Sequence, residues 1–308
     1  MKTPSTLPEN LSWHVLGAGA IGGLWALRLA RLGFAVTLLA HDDNSNKREL
    51  QIEEDGVLFS QRFAQKKTAA AGPVQCLLVC TKSNLTATAL SPLLPQLAAG
   101  TPVLLLQNGM GAENWLRQQH PELCLLTGIS TDGVWRRDRD HLVQAGRGET
   151  VIGAEQAQDA SMAQQLATLM QDERWPVHFS ADITQRRWLK LAMNCAINPL
   201  TALYRCRNGE LLEKPEALAI MRAVCAEVAA VMSAEGMPTD TDTLFKAATA
   251  AAAKTAANIS SMHTDVAAGR ETEIAFINGH VVARAAAHGI PAPSNTALLT
   301  QIQALPTQ

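Results

Sequence analysis

The sequence predicts an α/β protein in two parts: a doubly wound parallel sheet over residues 13–182 and an all-helical domain over residues 183–308. Three observations lead to this expectation. Short apolar runs alternate with helical stretches through the first half, the pattern of strands joined by crossover helices. A glycine cluster, Gly17-Ala18-Gly19-Ala20-Ile21-Gly22, falls where the first strand should hand over to the first helix. After about Asp182 the strand signals give way to long segments rich in alanine, leucine and methionine.

The elements follow in order. Residues 1–12 read as a loose extension, because MKTPSTLPEN has a single lysine and no apolar run behind it, which suits neither a secretory signal nor a membrane anchor. WHVLG is the first strand, a helix runs from about Ile21 to Leu32, and AVTLLA is the second strand. CLLVCT, PVLLLQ and LCLLTG continue the sheet, and their unbroken apolar character fits strands covered on both faces. HLVQAG, TVIGA and VHFSA read as further strands that extend or close this domain. In the second half, the run AATAAAAKTAA (247–257) is a strong helix former, since alanine carries the least cost in a helix.

Composition excludes several classes. The 308 residues are 47% hydrophobic and 18% charged with a net charge of −2, so no general basic field is offered to nucleic acid. No apolar stretch suggests a membrane span of ~18 residues, and a cytoplasmic protein is the expectation. Cys76, Cys80, Cys124, Cys195, Cys206 and Cys225 form no CxxC pair and sit at no metal-ligand spacing, so reduced thiols are expected, with no disulfide framework and no metal site. Cys76 and Cys80 should share one strand face.

In the glycine cluster each glycine has a mechanical task. Gly17 makes the tight turn, Gly19 lets backbone approach a pyrophosphate, and Gly22 allows close helix-to-strand packing, while the helix N-terminus supplies donors and partial positive charge. The end of the second strand then separates NAD from NADP, an acid there binding the ribose 2′-hydroxyl and a base the 2′-phosphate. Here AVTLLA is followed by His41, with Asp42, Asp43, Lys47 and Arg48 close behind, a mixed signal in a charged loop. We expect NADPH, held at His41 with help from Lys47 or Arg48, and an affinity that weakens as pH rises through the imidazole range.

Lys190, Asn194 and Asn198 fall at i, i+4 and i+8 in WLKLAMNCAINPL, which keeps an ammonium and two amides within an arc of roughly 80° on one helix. Polar groups on a helix that is apolar elsewhere are costly to bury unless something binds them, and a keto acid would suit these donors. The competing reading leaves them in solvent while Leu189, Leu191, Met193 and Ile197 pack inward. Pro199 should kink or end the helix and present Asn198 at a rim.

Eight segments occur in order between Trp13 and Leu299: GAGAIGG, LLVCTKSN, LLLQNGMG, WLKLAMNCAINPLTA, RNGELL, NISSM, ETEIAFINGH and HGIPAPSNTALL. In these the chain resembles the 2-dehydropantoate 2-reductase (ketopantoate reductase) family. That resemblance implies a Rossmann domain followed by a helical domain, and NADPH-dependent reduction of 2-dehydropantoate to pantoate on the way to pantothenate and coenzyme A. It puts the cofactor on Gly17, Ala18, Gly19, Ala20, Ile21 and Gly22, on Lys82 and along Val134, with Asn108 near both nicotinamide and substrate. Lys190 matches the catalytic lysine, Asn194, Asn198, Asn208, Asn258 and Ser261 match substrate-binding positions, and Glu273 matches the acid that holds the substrate. The departure is His41, where many relatives carry arginine.

The chemistry is consistent with the residues. As hydride reaches a ketone carbon, charge grows on oxygen, and a lysine can stabilise that charge and deliver a proton. Neutral donors from Asn194, Asn198 and Ser261 can fix a carboxylate and a carbonyl, and Glu273 can accept from a substrate hydroxyl. Asn258 and Ser261, at i and i+3, are expected on one helix face. Lys82 as a surface residue, Asn108 as a turn former and Glu273 on a solvated helix are the plainer readings of each alone. Two other functions stay open: reduction of a different 2-oxoacid, and non-catalytic sensing of NADP. The partner is a small molecule rather than nucleic acid or membrane, and a homodimer is left open.

Overall fold

The computed structural model describes residues 11–41 and 45–306. The chain divides into two compact units, one of residues 1–107 and 112–184 and the other of residues 108–111 and 185–308.

The first unit runs β1 (Ser12–Leu16), α1 (Ala20–Arg31), β2 (Ala35–Ala40), β3 (Lys47–Glu54), β4 (Val57–Lys67), β5 (Cys76–Val79), α2 (Thr86–Leu90), β6 (Pro102–Leu105), α3 (Ala112–Gln119), β7 (Cys124–Ser130), β8 (Gly133–Arg136), β9 (His141–Gly146), β10 (Thr150–Gly153), α4 (Ala160–Met170) and β11 (Val177–Phe179). The strands form one sheet in the order β11-β10-β7-β6-β5-β1-β2-β4-β3-β9-β8. Its centre is parallel, β1 lying between β2 and β5. Leu24, Trp25, Leu38 and Phe63 share a core on the α1 side, and Leu16, Leu39, Val79 and Leu105 share one on the other. Two covered faces explain why the central strands are apolar throughout.

The sheet departs from expectation at its flanks. β3–β4, β7–β10 and β8–β9 are antiparallel, so the sheet is mostly rather than wholly parallel. β3, β4 and β8 were not expected as strands, because KRELQIEE and VLFSQRFAQKK intersperse charge with apolar residues on a half-solvated sheet. Their turn carries the missed signal: Asp55 and Gly56 both adopt positive φ (49° and 76°), the requirement of a two-residue hairpin turn. The expected extension is also shorter, since Leu11 is buried and Ser12 already belongs to β1; residues 1–10 lie outside the described residues. Arg28 of α1 and Asp132 are buried together in a two-pronged ion pair of 2.8 and 2.9 Å.

The second unit is helical: α5 (Ile183–Tyr204), α6 (Pro215–Ala234), α7 (Thr241–Lys254), α8 (Ser261–Ala267), α9 (Asn278–Ala287) and α10 (Pro293–Gln303). Of the kink or end expected at Pro199, the end does not occur, and α5 continues to Tyr204. Proline removes the N–H that would bond the carbonyl of Cys195. Buried Asn278 supplies the replacement, its Nδ2 donating to Cys195 O at 3.2 Å. α7 stops at Lys254, so the last three residues of the alanine-rich run are turn rather than helix. α6 is long and apolar enough to cross a membrane by length and composition, against expectation, but Met221, Val224, Cys225 and Val228 are buried in the helical core. All six cysteines are unbridged. Cys76 and Cys80 lie in one apolar cluster, as their spacing implied.

Candidate active site

The glycine loop divides its tasks as the sequence suggested. Gly17 has φ +89° and a Cβ there would come within 2.5 Å of Thr81 N. At Gly22 a Cβ would meet Gly17 O at 2.2 Å. Gly19 differs, because its φ is −80° and a Cβ would find only Gly17 O at 4.0 Å. Among the described residues no neighbour demands that glycine, and a bare backbone there is what an approaching pyrophosphate needs. α1 begins at Ala20 with no acid in its first turn, so no carboxylate there offsets the partial positive charge of its N-terminus. These residues fit a dinucleotide. Cys80 packs against this loop, and burial pushes its thiol well above the usual range.

His41 is exposed immediately after β2. Arg48 is committed elsewhere, its Nε donating to Asp140 Oδ1 at 2.6 Å and its Nη2 to Arg139 O at 2.7 Å. Lys47 and Arg48 thus open a strand instead of lying in a charged loop, while Asp42 and Asp43 lie outside the described residues. Lys82 is half-buried at the head of a tight turn over Ser83–Leu85. Its carbonyl accepts from Thr86 Oγ1 at 3.1 Å, and Gln107 Nε2 donates to Thr86 Oγ1 at 2.6 Å and to Thr81 O at 2.5 Å. Gln107 is a residue that the sequence reading passed over, although it directly precedes Asn108 in LLLQNGMG. Val134 lies on β8 in the cluster that includes Ala18 and Ile21.

In the helical unit, Lys190, Asn194 and Asn198 are all half-buried, while Leu191, Ala192, Cys195, Ala196 and Ile197 are buried. Their helix face is therefore neither core nor open surface. Lys190 Nζ donates to Asn108 Oδ1 at 3.1 Å. The Asn108–Gly111 loop is anchored where Met110 N donates to Phe276 O at 2.8 Å, and a Cβ on Gly109 (φ +76°) would strike that same oxygen at 2.6 Å. Phe276 closes the turn that follows Glu273, whose carbonyl accepts from Phe276 N at 2.9 Å and Ile277 N at 3.1 Å. Glu273 is thus a half-buried turn residue and is not on a helix face.

A directed chain of hydrogen bonds links further positions. His263 N donates to Ser260 Oγ at 3.0 Å, Ser260 Oγ lies 2.7 Å from Thr201 Oγ1, and Thr201 donates to Asn198 O at 2.8 Å. Each hydroxyl has one proton, so Ser260 must donate to Thr201. Ser260 caps α8, which leaves Ser261 exposed as its first residue and Asn258 exposed before it. The expected shared helix face for Asn258 and Ser261 is therefore absent. Asn258 O accepts from Asn208 N at 3.1 Å, and the buried Asn208 side chain turns inward to Thr255 Oγ1 at 2.8 Å.

The family model described as ketopantoate reductase PanE/ApbA matches residues 13–156, and the model of its C-terminal region matches residues 182–306. The chain belongs to the ketopantoate reductase family. It is 37% identical to the 2-dehydropantoate 2-reductase of Vibrio cholerae, over 94% of this chain and 96% of that one. A solved PanE/ApbA family ketopantoate reductase from Ralstonia eutropha superposes with a TM-score of 0.83 at 29% identity, covering 96% of this chain and 98% of that one. D-mandelate dehydrogenase with NADH and anilino(oxo)acetate shares the fold, with a TM-score of 0.88 at 21% identity over 96% and 97% of the two chains. The ketopantoate reductases are nicotinamide-dependent oxidoreductases acting on a small molecule.

Some polar residues within the ketopantoate reductase motifs serve the packing of the helical unit. Asn278 in ETEIAFINGH and Asn295 in HGIPAPSNTALL are fully buried, and Asn278 Nδ2 donates to Asn295 Oδ1 at 2.9 Å. Glu227 accepts from Ser294 N at 2.7 Å and Asn295 N at 2.9 Å, which caps the start of α10 with a carboxylate. These residues hold helices together.

Proposed function

We propose that this chain is an NADPH-dependent 2-dehydropantoate 2-reductase that forms (R)-pantoate. The observation that carries this reading is the Lys190 ammonium directed by Asn108 on a helix face that continues through Asn194 and Asn198.

When bound, the nicotinamide supplies the hydride that the keto carbon accepts. Lys190 Nζ gives a proton to the carbonyl oxygen as negative charge develops there, and water returns the proton to the amine. An ammonium has three donors; the Asn108 amide takes one and so fixes the direction of the group. Asn194, Asn198 and Ser261 donate to the substrate carboxylate and carbonyl without adding charge that would need desolvation. Glu273 accepts from the substrate hydroxyl. Asn258 borders the substrate, and Asn208 serves that position through its N–H on Asn258 O. Gly17 to Gly22, Lys82 and Val134 hold the dinucleotide, and His41 adjoins its 2′-phosphate.

The test is NADPH oxidation measured with 2-dehydropantoate beside several other 2-oxoacids. The expected result is one clear preference, for 2-dehydropantoate. A higher kcat/KM for another 2-oxoacid would reassign the substrate, and dinucleotide binding with no turnover would make the chain a sensor.

A further inference from the structure

β2 and β4 are neighbouring parallel strands whose register sets Leu38 against Gln65 and Ala40 against Lys67. Side chains alternate along a strand, so Ala40 shares the face of Leu38, and Lys67 shares the face of Phe63 and Gln65. Leu38 and Phe63 pack with Leu24 and Trp25 of α1, so this is the face onto which the glycine loop delivers its helix. Lys67 therefore ends its strand beside the end of β2, the place where a doubly wound fold reads the 2′ position of the cofactor ribose.

That strand end is fixed by buried side chains. Thr68, 2% exposed, donates its hydroxyl to Ala40 O at 3.1 Å and ties the two strand ends together. Gln65, 3% exposed, donates Nε2 to Ser45 O at 3.3 Å and to Ser45 Oγ at 2.9 Å, which holds the chain where it returns after β2. Two nearby cations are otherwise engaged: Lys66 Nζ donates to Ala71 O at 2.9 Å and Arg48 pairs with Asp140. Lys67 is exposed and makes no side-chain hydrogen bond or ion pair among the described residues.

We propose that Lys67 is a specificity-determining residue for the cofactor, its ammonium pairing with the 2′-phosphate that distinguishes NADPH from NADH. This rests on the reading of the chain as an NADPH-binding reductase. A lysine serves a phosphate as a compact point charge, and supplying it from β4 makes an arginine directly after β2 unnecessary, where this chain has His41. At an exposed site the pairing is screened by salt.

The test is calorimetric titration of the wild type and of Lys67→Gln, Lys67→Arg and His41→Gln with NADPH, NADH and 2′,5′-ADP. Lys67→Gln should weaken NADPH and 2′,5′-ADP by about tenfold or more, the range of a charge-assisted hydrogen bond, while NADH changes by less than about twofold. Lys67→Arg should restore the preference, and added salt should weaken NADPH more steeply for the wild type than for Lys67→Gln. An unchanged NADPH-to-NADH ratio in Lys67→Gln, with the preference lost instead in His41→Gln, overturns the proposal. Equal weakening of both dinucleotides also overturns it, because that is the signature of structural damage. A wild type that binds neither dinucleotide overturns the cofactor reading itself, a separate failure.

Discussion

Asn278 donates its side-chain amide to the carbonyl of Cys195, the acceptor that Pro199 leaves without a helical partner. A proline four residues after an acceptor ordinarily breaks a helix; here a side chain from α9 closes the gap, and α5 keeps one continuous face through Asn198. Asn278→Ala should destabilise the protein by about 2–4 kcal/mol, since it strips partners from two buried oxygens. Pro199→Ala restores the missing N–H, so the double variant should unfold in urea with less loss than the two single losses combined. Strict additivity would show that the amide does not stand in for the helical bond.

The glycines of the phosphate loop separate folding from binding. Gly17→Ala and Gly22→Ala force contacts against backbone and should cost about 1–3 kcal/mol or more in thermal unfolding. Gly19→Ala should melt close to wild type yet bind dinucleotide at least about tenfold more weakly, because only a ligand needs that space. Fluorescence titration with the cofactor checks this, and undiminished affinity would make Gly19 an ordinary loop residue.

His14, buried on β1, has a pKa held below its usual 6.5 by burial and, second, by the charge of Lys66. The folded chain therefore refuses a proton that the unfolded chain takes up. Stability should be full above about pH 6.5, fall as pH drops through that value, and level off once the lower folded-state value is passed. Melting curves from pH 8 to pH 5 should show a smaller acid loss in His14→Gln than in wild type; parallel curves would contradict it.

Much of this was legible in the sequence, and what was not has physical reasons. GAGAIGG declared both the turn and the helix because its glycines answer to backbone geometry, which is local. The one-face spacing of Lys190, Asn194 and Asn198 survived because α5 is continuous. That continuity was itself invisible, since it depends on Asn278, 83 residues after Cys195. β3 and β4 escaped because their charges fall in adjacent runs, Lys47-Arg48-Glu49 and Glu53-Glu54 in one and Lys66-Lys67 in the other, so no clear period of two shows and the segments resemble loops. The inward turn of Asn208 toward Thr255 and the link from Ser260 to Thr201 likewise join residues far apart in the chain, contacts that no local pattern records.

The Thr201–Ser260 pair should act on the reaction through Asn198. Thr201→Val removes the donor to Asn198 O, and the expected outcome is a KM for the keto acid raised by roughly three- to tenfold with NADPH affinity unchanged. Ser260→Ala should move KM in the same direction and also cost about 1 kcal/mol of stability as an N-cap loss. Steady-state kinetics beside thermal unfolding would separate the two effects, and an unaltered KM in both variants would leave the chain of hydroxyls a packing feature only.

The most direct measurement is turnover by Lys190→Ala with saturating 2-dehydropantoate, alongside its NADPH dissociation constant. The account expects kcat to fall by roughly 10²- to 10⁴-fold, as for the loss of a general acid, with NADPH affinity within about threefold of wild type. Turnover at the wild-type rate, or a loss of NADPH binding that matches the loss of rate, would contradict it.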